Sequence, residues 1–264
     1  MKKIIAVLLL AASIMACQNK NQKTTGSELA IKSDTLSFNY DSLKVYSKNI
    51  PDRPDTTYAK ISYPIFKNDT LNQYLKRQVF DFFAKEEPAT SYQDIANSFV
   101  KGYDDFVKDD RNSRPQTWCL IIKIEVLRQK PNYLALRHTH YDYTGGAHGN
   151  TNISYINYNP QQHKEITLDS LIGQDKMPAL TSLAEGIFRK DEKLSATEPL
   201  EGKYFFDDGK FILAQNFYVS DQGLVFLYNA YEIKPYSEGT TALTIPFAAL
   251  KDLAKPHTIL TSNP

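Results

Sequence analysis

The chain has 264 residues, with 31 lysines and arginines against 30 aspartates and glutamates, for a formal charge of +1. Removing Lys2 and Lys3 from the 31 leaves 29 basic against the same 30 acidic residues, so a processed chain carries −1. Neither balance supplies the basic excess with which a protein binds nucleic acid or an anionic membrane by charge alone.

The N-terminus carries the most specific signal. Lys2 and Lys3 precede an apolar run, Ile4 to Ala12, that is too short to span a bilayer, and Ile14-Met15-Ala16-Cys17 reads as a lipobox with Met15 a less usual occupant. Residues 1–16 are therefore predicted to be a cleaved signal peptide, with Cys17 lipidated as the first residue of the mature chain. Each buried acyl methylene contributes about 0.8 kcal/mol, and more than one chain makes anchoring stable. Residues 17–32 are rich in Asn, Gln, Lys, Thr and Ser and have almost nothing to bury, which predicts a flexible tether. The expectation is an exported bacterial lipoprotein held at the cell envelope, on an outer membrane or the periplasmic side of a diderm cell. Cys119 is the one other cysteine, so the mature chain has no intramolecular disulfide, and Cys119 reads as a small buried hydrophobe.

Ser33 to Tyr46 alternates as a strand, and Tyr58 to Phe66 resumes after a Pro-containing break. Asn68 or Asp69 then caps a helix with Leu71, Tyr74, Leu75, Val79, Phe82 and Phe83 at helical spacing. A second helix, about Ser91 to Lys108, has Tyr92, Ile95, Ala96, Phe99, Tyr103 and Phe106 as its stripe. Gln116 to Gln129 and Asn132 to Tyr143 are long strands joined by a tight Lys130-Pro131-Asn132 turn. Further strands are predicted at Asn152 to Asn159, Glu165 to Leu171, Phe211 to Ser220, Gly223 to Tyr228 and a last segment ending near Pro246. A helix over Met177 to Lys190 and a short closing helix complete the chain. Strands and helices are mixed rather than strictly alternating, so the predicted class is α+β: antiparallel sheets with helices on one face and two subdomains, 33–133 and 134–264, sharing a core. The 17 tyrosines and 14 phenylalanines suit half-buried pleated surfaces.

Between two strands lies Tyr143-Thr144-Gly145-Gly146-Ala147-His148-Gly149-Asn150. Three glycines in five residues permit close backbone approach. Downstream stand Asn157-Tyr158-Asn159, Ile166-Thr167-Leu168-Asp169-Ser170-Leu171, Phe217 to Phe226, Tyr231-Glu232-Ile233-Lys234-Pro235-Tyr236-Ser237-Glu238-Gly239 and Ile245-Pro246-Phe247. This series, over Leu134 to Leu250, resembles the extracellular domain of unknown function shared by the lysozyme-sensing anti-sigma factor RsiV and the accessory region of the peptidoglycan deacetylase PdaC. The segment from about Ser33 resembles the domain that usually precedes it. The resemblance implies an α+β fold outside the membrane and, in one branch, lysozyme binding by protruding loops. It carries no catalytic residue set. With no sigma-binding segment read before a membrane helix and little sequence after the last motif, neither an anti-sigma role nor a deacetylase domain is expected.

The candidate binding loop is accordingly Tyr143, Gly145, Gly146, His148, Gly149 and Asn150, and no catalytic residue and no cofactor is expected. The favoured function is a non-catalytic envelope module for a lysozyme-like protein or a peptidoglycan glycan, with the lipid anchor as its membrane contact and no nucleic-acid partner. The alternative is a metal-dependent hydrolase acting on envelope material: His138, His140 and Asp142 alternate on one strand face, and with His148 they offer zinc-type ligands. It is the less favoured reading, since sheet histidines often pair with neighbouring hydroxyls or carboxylates. Asp207-Asp208-Gly209 and Asp221-Gln222-Gly223 lack EF-hand spacing and read as turns. Glu232 and Glu238 could form a carboxylate pair, although their stretch reads more simply as a strand end.

Overall fold

The structure, a computed structural model, describes residues 36–48, 56–83, 89–109 and 116–261. Cys17, the signal segment and the tether lie outside the described residues.

Strand β1 (Phe38–Tyr46) pairs antiparallel with β2 (Tyr58–Phe66). Two helices follow, α1 (Asp69–Phe80) and α2 (Tyr92–Asp109). The Asn68 side chain accepts from Leu71 N–H at 3.1 Å, which caps α1 as its sequence predicts. Leu71, Leu75 and Val79 of α1 and Ile95, Ala96 and Val100 of α2 are buried. Burying each leucine, isoleucine or valine contributes about 1.5–3 kcal/mol. The two helices form a crossover, so the next strand, β3 (Cys119–Lys130), returns parallel to β2. This pair corrects the expectation of purely antiparallel sheets. Strands β4 (Tyr133–Tyr143), β5 (Asn150–Asn159) and β6 (Lys164–Glu165) continue antiparallel, giving one sheet in the order β1-β2-β3-β4-β5-β6. The expected division at 133/134 falls at the start of β4, and the sheet runs through it.

A helical turn, α3 (Leu168–Leu171), leads to the longer α4 (Met177–Asp191). A second, antiparallel sheet follows: β7 (Phe217–Val219), β8 (Gly223–Tyr228) and β9 (Thr241–Pro246), closed by the short α5 (Phe247–Leu250). Two buried clusters result. Ala59, Ile61, Leu120, Ile122, Leu134 and Leu136 face α1 and α2. Tyr133 and Ala135, on the other face of β4, join Phe188 of α4 and Phe217, Leu224 and Phe226 of the small sheet. The start of β4 is buried on both faces, so Tyr133-Leu134-Ala135-Leu136 reads as an unbroken apolar run. The α+β class stands, with β4 sandwiched between two separate cores.

Two predicted strands are mostly something else. Glu165 to Leu171 contributes only β6 before Ser170 Oγ donates to Thr167 O at 2.6 Å and the chain turns into α3. In Phe211 to Ser220 only β7 pairs. Phe211 packs on Phe188 and Phe206, and Ala214 N–H donates to the Tyr228 hydroxyl at 3.1 Å instead of to a neighbouring strand.

Candidate functional site at the glycine loop

Alternation along β4 sends Tyr141 and Tyr143 to one face of the sheet and His138 and His140 to the other. After Tyr143 the chain turns through Gly145 and Gly146, both at φ near +100°, a conformation open to glycine and strained for other residues. Gln116 holds this half of the loop: its Oε1 accepts from Gly146 N–H at 2.8 Å and from the Tyr143 hydroxyl at 2.6 Å. Gln116 was not legible as part of the site, because it lies 30 residues upstream of Gly146 with no motif around it.

The other half faces the C-terminal region. The exposed His148 ring stacks on Tyr236, with centroids 3.8 Å apart and planes 12° from parallel. Tyr231 stands 5.5 Å from Tyr236, is 57% exposed and brings its hydroxyl to 3.5 Å from His148 Nε2. The Tyr236 hydroxyl donates to the carbonyl of Gly149 at 2.9 Å. Gly149 itself is buried, and a Cβ there would fall 2.4 Å from the Tyr141 ring. Asn150 is exposed and opens β5 opposite Asp142. The loop is thus pinned at both ends, with an aromatic platform at its outer edge. Tyr231 and Tyr236 were visible in the sequence only as a strand end. The structure corrects this: Tyr231, at φ 69°, stands in a turn, and Tyr236 begins a 3-10 turn. The Glu232 and Glu238 carboxylates part company, Glu232 accepting from Asn229 Nδ2 at 3.2 Å and Glu238 lying 4.0 Å from Lys234 Nζ.

His138 and His140 sit under α1's end, with Phe82 4.6 Å from the His140 ring and 6.1 Å from that of His138. They are 3% and 7% exposed. Burial lowers His138 to about 4, aided by the neighbouring His140. Burial also lowers His140, opposed by Asp142, whose Oδ1 is 3.2 Å from Nε2. His148 keeps company with Tyr231 and Tyr236 instead. His148 is therefore not brought to the His138–His140 pair, and among the described residues no group of three His, Cys, Asp or Glu side chains is arranged to hold a metal ion. Cys119 is half-buried rather than fully buried, and desolvation raises its thiol pKa, which disfavours a nucleophile.

Residues 51–151 match the family model described as deacetylase PdaC, and residues 166–248 match the model described as a protein of unknown function, DUF3298. The chain is a DUF3298/PdaC-type domain protein. Its glycine loop falls in the first matched region, while Tyr231 and Tyr236 fall in the second, so the platform is assembled from both. A Bacillus subtilis (strain 168) protein named peptidoglycan-N-acetylmuramic acid deacetylase PdaC is 22% identical over 204 residues, 75% of this chain. The match spans 39% of that protein's length. A crystal structure of a DUF3298 family member from Bacteroides fragilis superposes with a TM-score of 0.71 at 24% identity, covering 86% of this chain and 97% of the other. A DUF3298 family protein from Pseudomonas aeruginosa PAO1 gives 0.66 at 20% identity, covering 87% and 98%. These likenesses support the α+β fold.

Proposed function

We propose that this DUF3298/PdaC-type protein is an exported, lipid-anchored envelope binding module that recognises a cell-wall glycan or a lysozyme-like protein through its loop platform. The observation that carries the reading is the His148–Tyr236 stack with the exposed Tyr231 beside it. Flat aromatic faces stack on the C–H faces of pyranoses and anchor protein interfaces, and their tyrosine hydroxyls supply directional hydrogen bonds. Loop anchoring by Gln116 and by the Tyr236–Gly149 bond reduces the ordering cost of binding. The relative's name ties a similar region to a peptidoglycan-modifying protein. The hydrolase alternative has no comparable support, because His148 stacks on Tyr236 and lies apart from His138 and His140. No helix among the described residues is long and apolar enough to cross a membrane, and the proposed anchor is lipid on Cys17.

Biolayer binding of the full-length chain in detergent to lysozyme and to soluble peptidoglycan fragments tests the platform. Saturable binding to one of them, weakened at least about tenfold in Tyr231→Ala and His148→Ala, is expected from the loss of aromatic anchors. Binding that both variants retain would remove the platform from the reading. Labelling with a palmitate analogue, lost in Cys17→Ser, tests the anchor.

A further inference from the structure

Among the described residues, the side chains that β1 to β4 register on the face opposite α1 and α2 include exposed Tyr40, Ser42, Lys44, Lys60 and Lys123 and half-buried Ser62, Glu125 and Arg137, and they are unevenly charged. Strand pairing puts Lys44 beside Lys60, Ser42 beside Ser62, Ser62 beside Lys123, and Glu125 beside Arg137. Among the described residues the strands therefore place four cations on this face, Lys44, Lys60, Lys123 and Arg137, against the one carboxylate of Glu125. The near-neutral whole chain gives no hint of that segregation. Glu125 accepts from Arg137 at 2.6 Å and pairs with Lys123 at 2.5 Å, so one anion serves two cations. Lys60 forms no ion pair among the described residues. Lys44 Nζ lies over the rings of Tyr46 and Tyr58, 4.6 and 4.3 Å from their centroids.

An open groove of about 440 Å³ runs along this face, bounded by Tyr40, Ser42, Lys60, Ser62 and Lys123, with the acidic residues Asp41 and Glu125 also lining it. Tyr40 and Tyr46 are 55% and 53% exposed. From β1 to β3 is two strand spacings, about 10 Å, comparable to the length of one disaccharide. A surface of small hydroxyl side chains, flat phenol rings and ammonium groups in excess of their carboxylates at that spacing suits sugar rings that carry negative charge.

We propose that this sheet face binds a carboxylate-bearing glycan strand, with Tyr40 and Tyr46 against sugar rings and Lys60 and Lys123 on the carboxylates. The proposal extends the glycan branch of the reading above to a second surface, and it stands independently of the His148–Tyr231–Tyr236 platform.

The test uses the full-length chain in a non-ionic detergent with four probes: soluble peptidoglycan fragments, oligogalacturonate, neutral N-acetylglucosamine oligomers and phosphatidylglycerol vesicles. Binding is expected to one or both carboxylate glycans, decreasing between about 50 and about 300 mM salt. It should weaken at least about tenfold in the double variant Lys60→Glu/Lys123→Glu, and by a similar factor when the same reversal is made in a Tyr231→Ala background, so that loss at this face is read separately from loss at the platform. Peptidoglycan alone names a wall ligand, and oligogalacturonate as well names acidic glycans in general. Failure of both carboxylate glycans to bind, equal binding of the neutral oligomer, or indifference to the charge reversal overturns the proposal. Reversal-sensitive binding to vesicles alone overturns it too, in favour of a membrane-facing surface. Both lysines are exposed, so unchanged thermal melting of the double variant separates lost binding from lost fold.

Discussion

The Tyr133 hydroxyl donates to Asn157 Oδ1 at 2.6 Å and accepts from Val219 N–H at 2.7 Å, both side chains being buried in the seam between the two sheets. Asn157 Nδ2 in turn donates to Phe217 O at 2.7 Å. Burial pushes the Tyr133 hydroxyl's pKa upward, so it remains a donor across the working pH range. A single phenol oxygen thereby joins β4 and β5 to β7.

Tyr133→Phe keeps the ring and removes that junction, leaving Asn157 Oδ1 and Val219 N–H without their partner. A buried polar group left unsatisfied costs about 1–3 kcal/mol, so urea unfolding should show a loss of about 2–4 kcal/mol. A loss under about 0.5 kcal/mol would mean that the seam does not depend on this bond.

The edge of β5 is completed by side chains. Asn229 Oδ1 accepts from Ile153 N–H at 2.8 Å and Asn216 Oδ1 accepts from Tyr155 N–H at 2.8 Å, while both Nδ2 groups donate to Ile153 O. β6 pairs with β5 only at Tyr158 and Asn159, so the asparagines stand where a neighbouring strand would. Asn229→Leu should cost about 1–3 kcal/mol and speed hydrogen exchange at the Ile153 amide while leaving that of Ile61 unchanged. Equal protection of Ile153 in variant and wild type would refute the role.

The helices, β1 to β5 and the glycine loop were legible because local rules govern them: Asn68 as a cap, a 3.6-residue stripe in α1 and α2, alternation in β3. What escaped depends on distant residues. Nothing near Gln116 announces that its amide will hold Gly146, and nothing near Asn216 announces a β5 partner. His138 and His140 alternate as a ligand pair would, yet the packing of Phe82 over them is tertiary information. The parallel pairing of β2 with β3 is legible in principle, since two intervening helices make a crossover, but strand propensity does not report direction.

Gly223 pairs with Pro246 at the start of β8, and a Cβ there would lie 2.0 Å from Ile245 O and 2.8 Å from Pro246 Cα. Backbone atoms of β9 cannot yield as a side-chain tip can. Gly223→Ala is expected to lower stability by at least about 3 kcal/mol. Gly186, inside α4 with nothing within 4 Å of its added Cβ, supplies the control. There alanine should stabilise by about 0.5–1 kcal/mol. Thermal melts of the two variants should move in opposite directions, and a shift of the same sign in both would contradict the packing argument.

The buried histidines make stability fall in mild acid. Unfolded, His138 titrates near its ordinary value of about 6.5, whereas burial holds it at about 4 when folded. Between these values the unfolded chain carries the additional proton, so stability is present above about 6.5 and is lost as pH falls towards about 4. His140 shifts in the same direction, with Asp142 opposing the effect of burial. His138→Gln removes one titration while keeping a polar side chain next to Ser154, whose hydroxyl is 3.4 Å from His138 Nδ1. Between pH 7 and pH 5 the wild type should therefore lose about 2 kcal/mol more than the variant, measured as the difference between their urea midpoints at each pH. If the two proteins lose stability in parallel, His138 is not the group that drives the acid sensitivity.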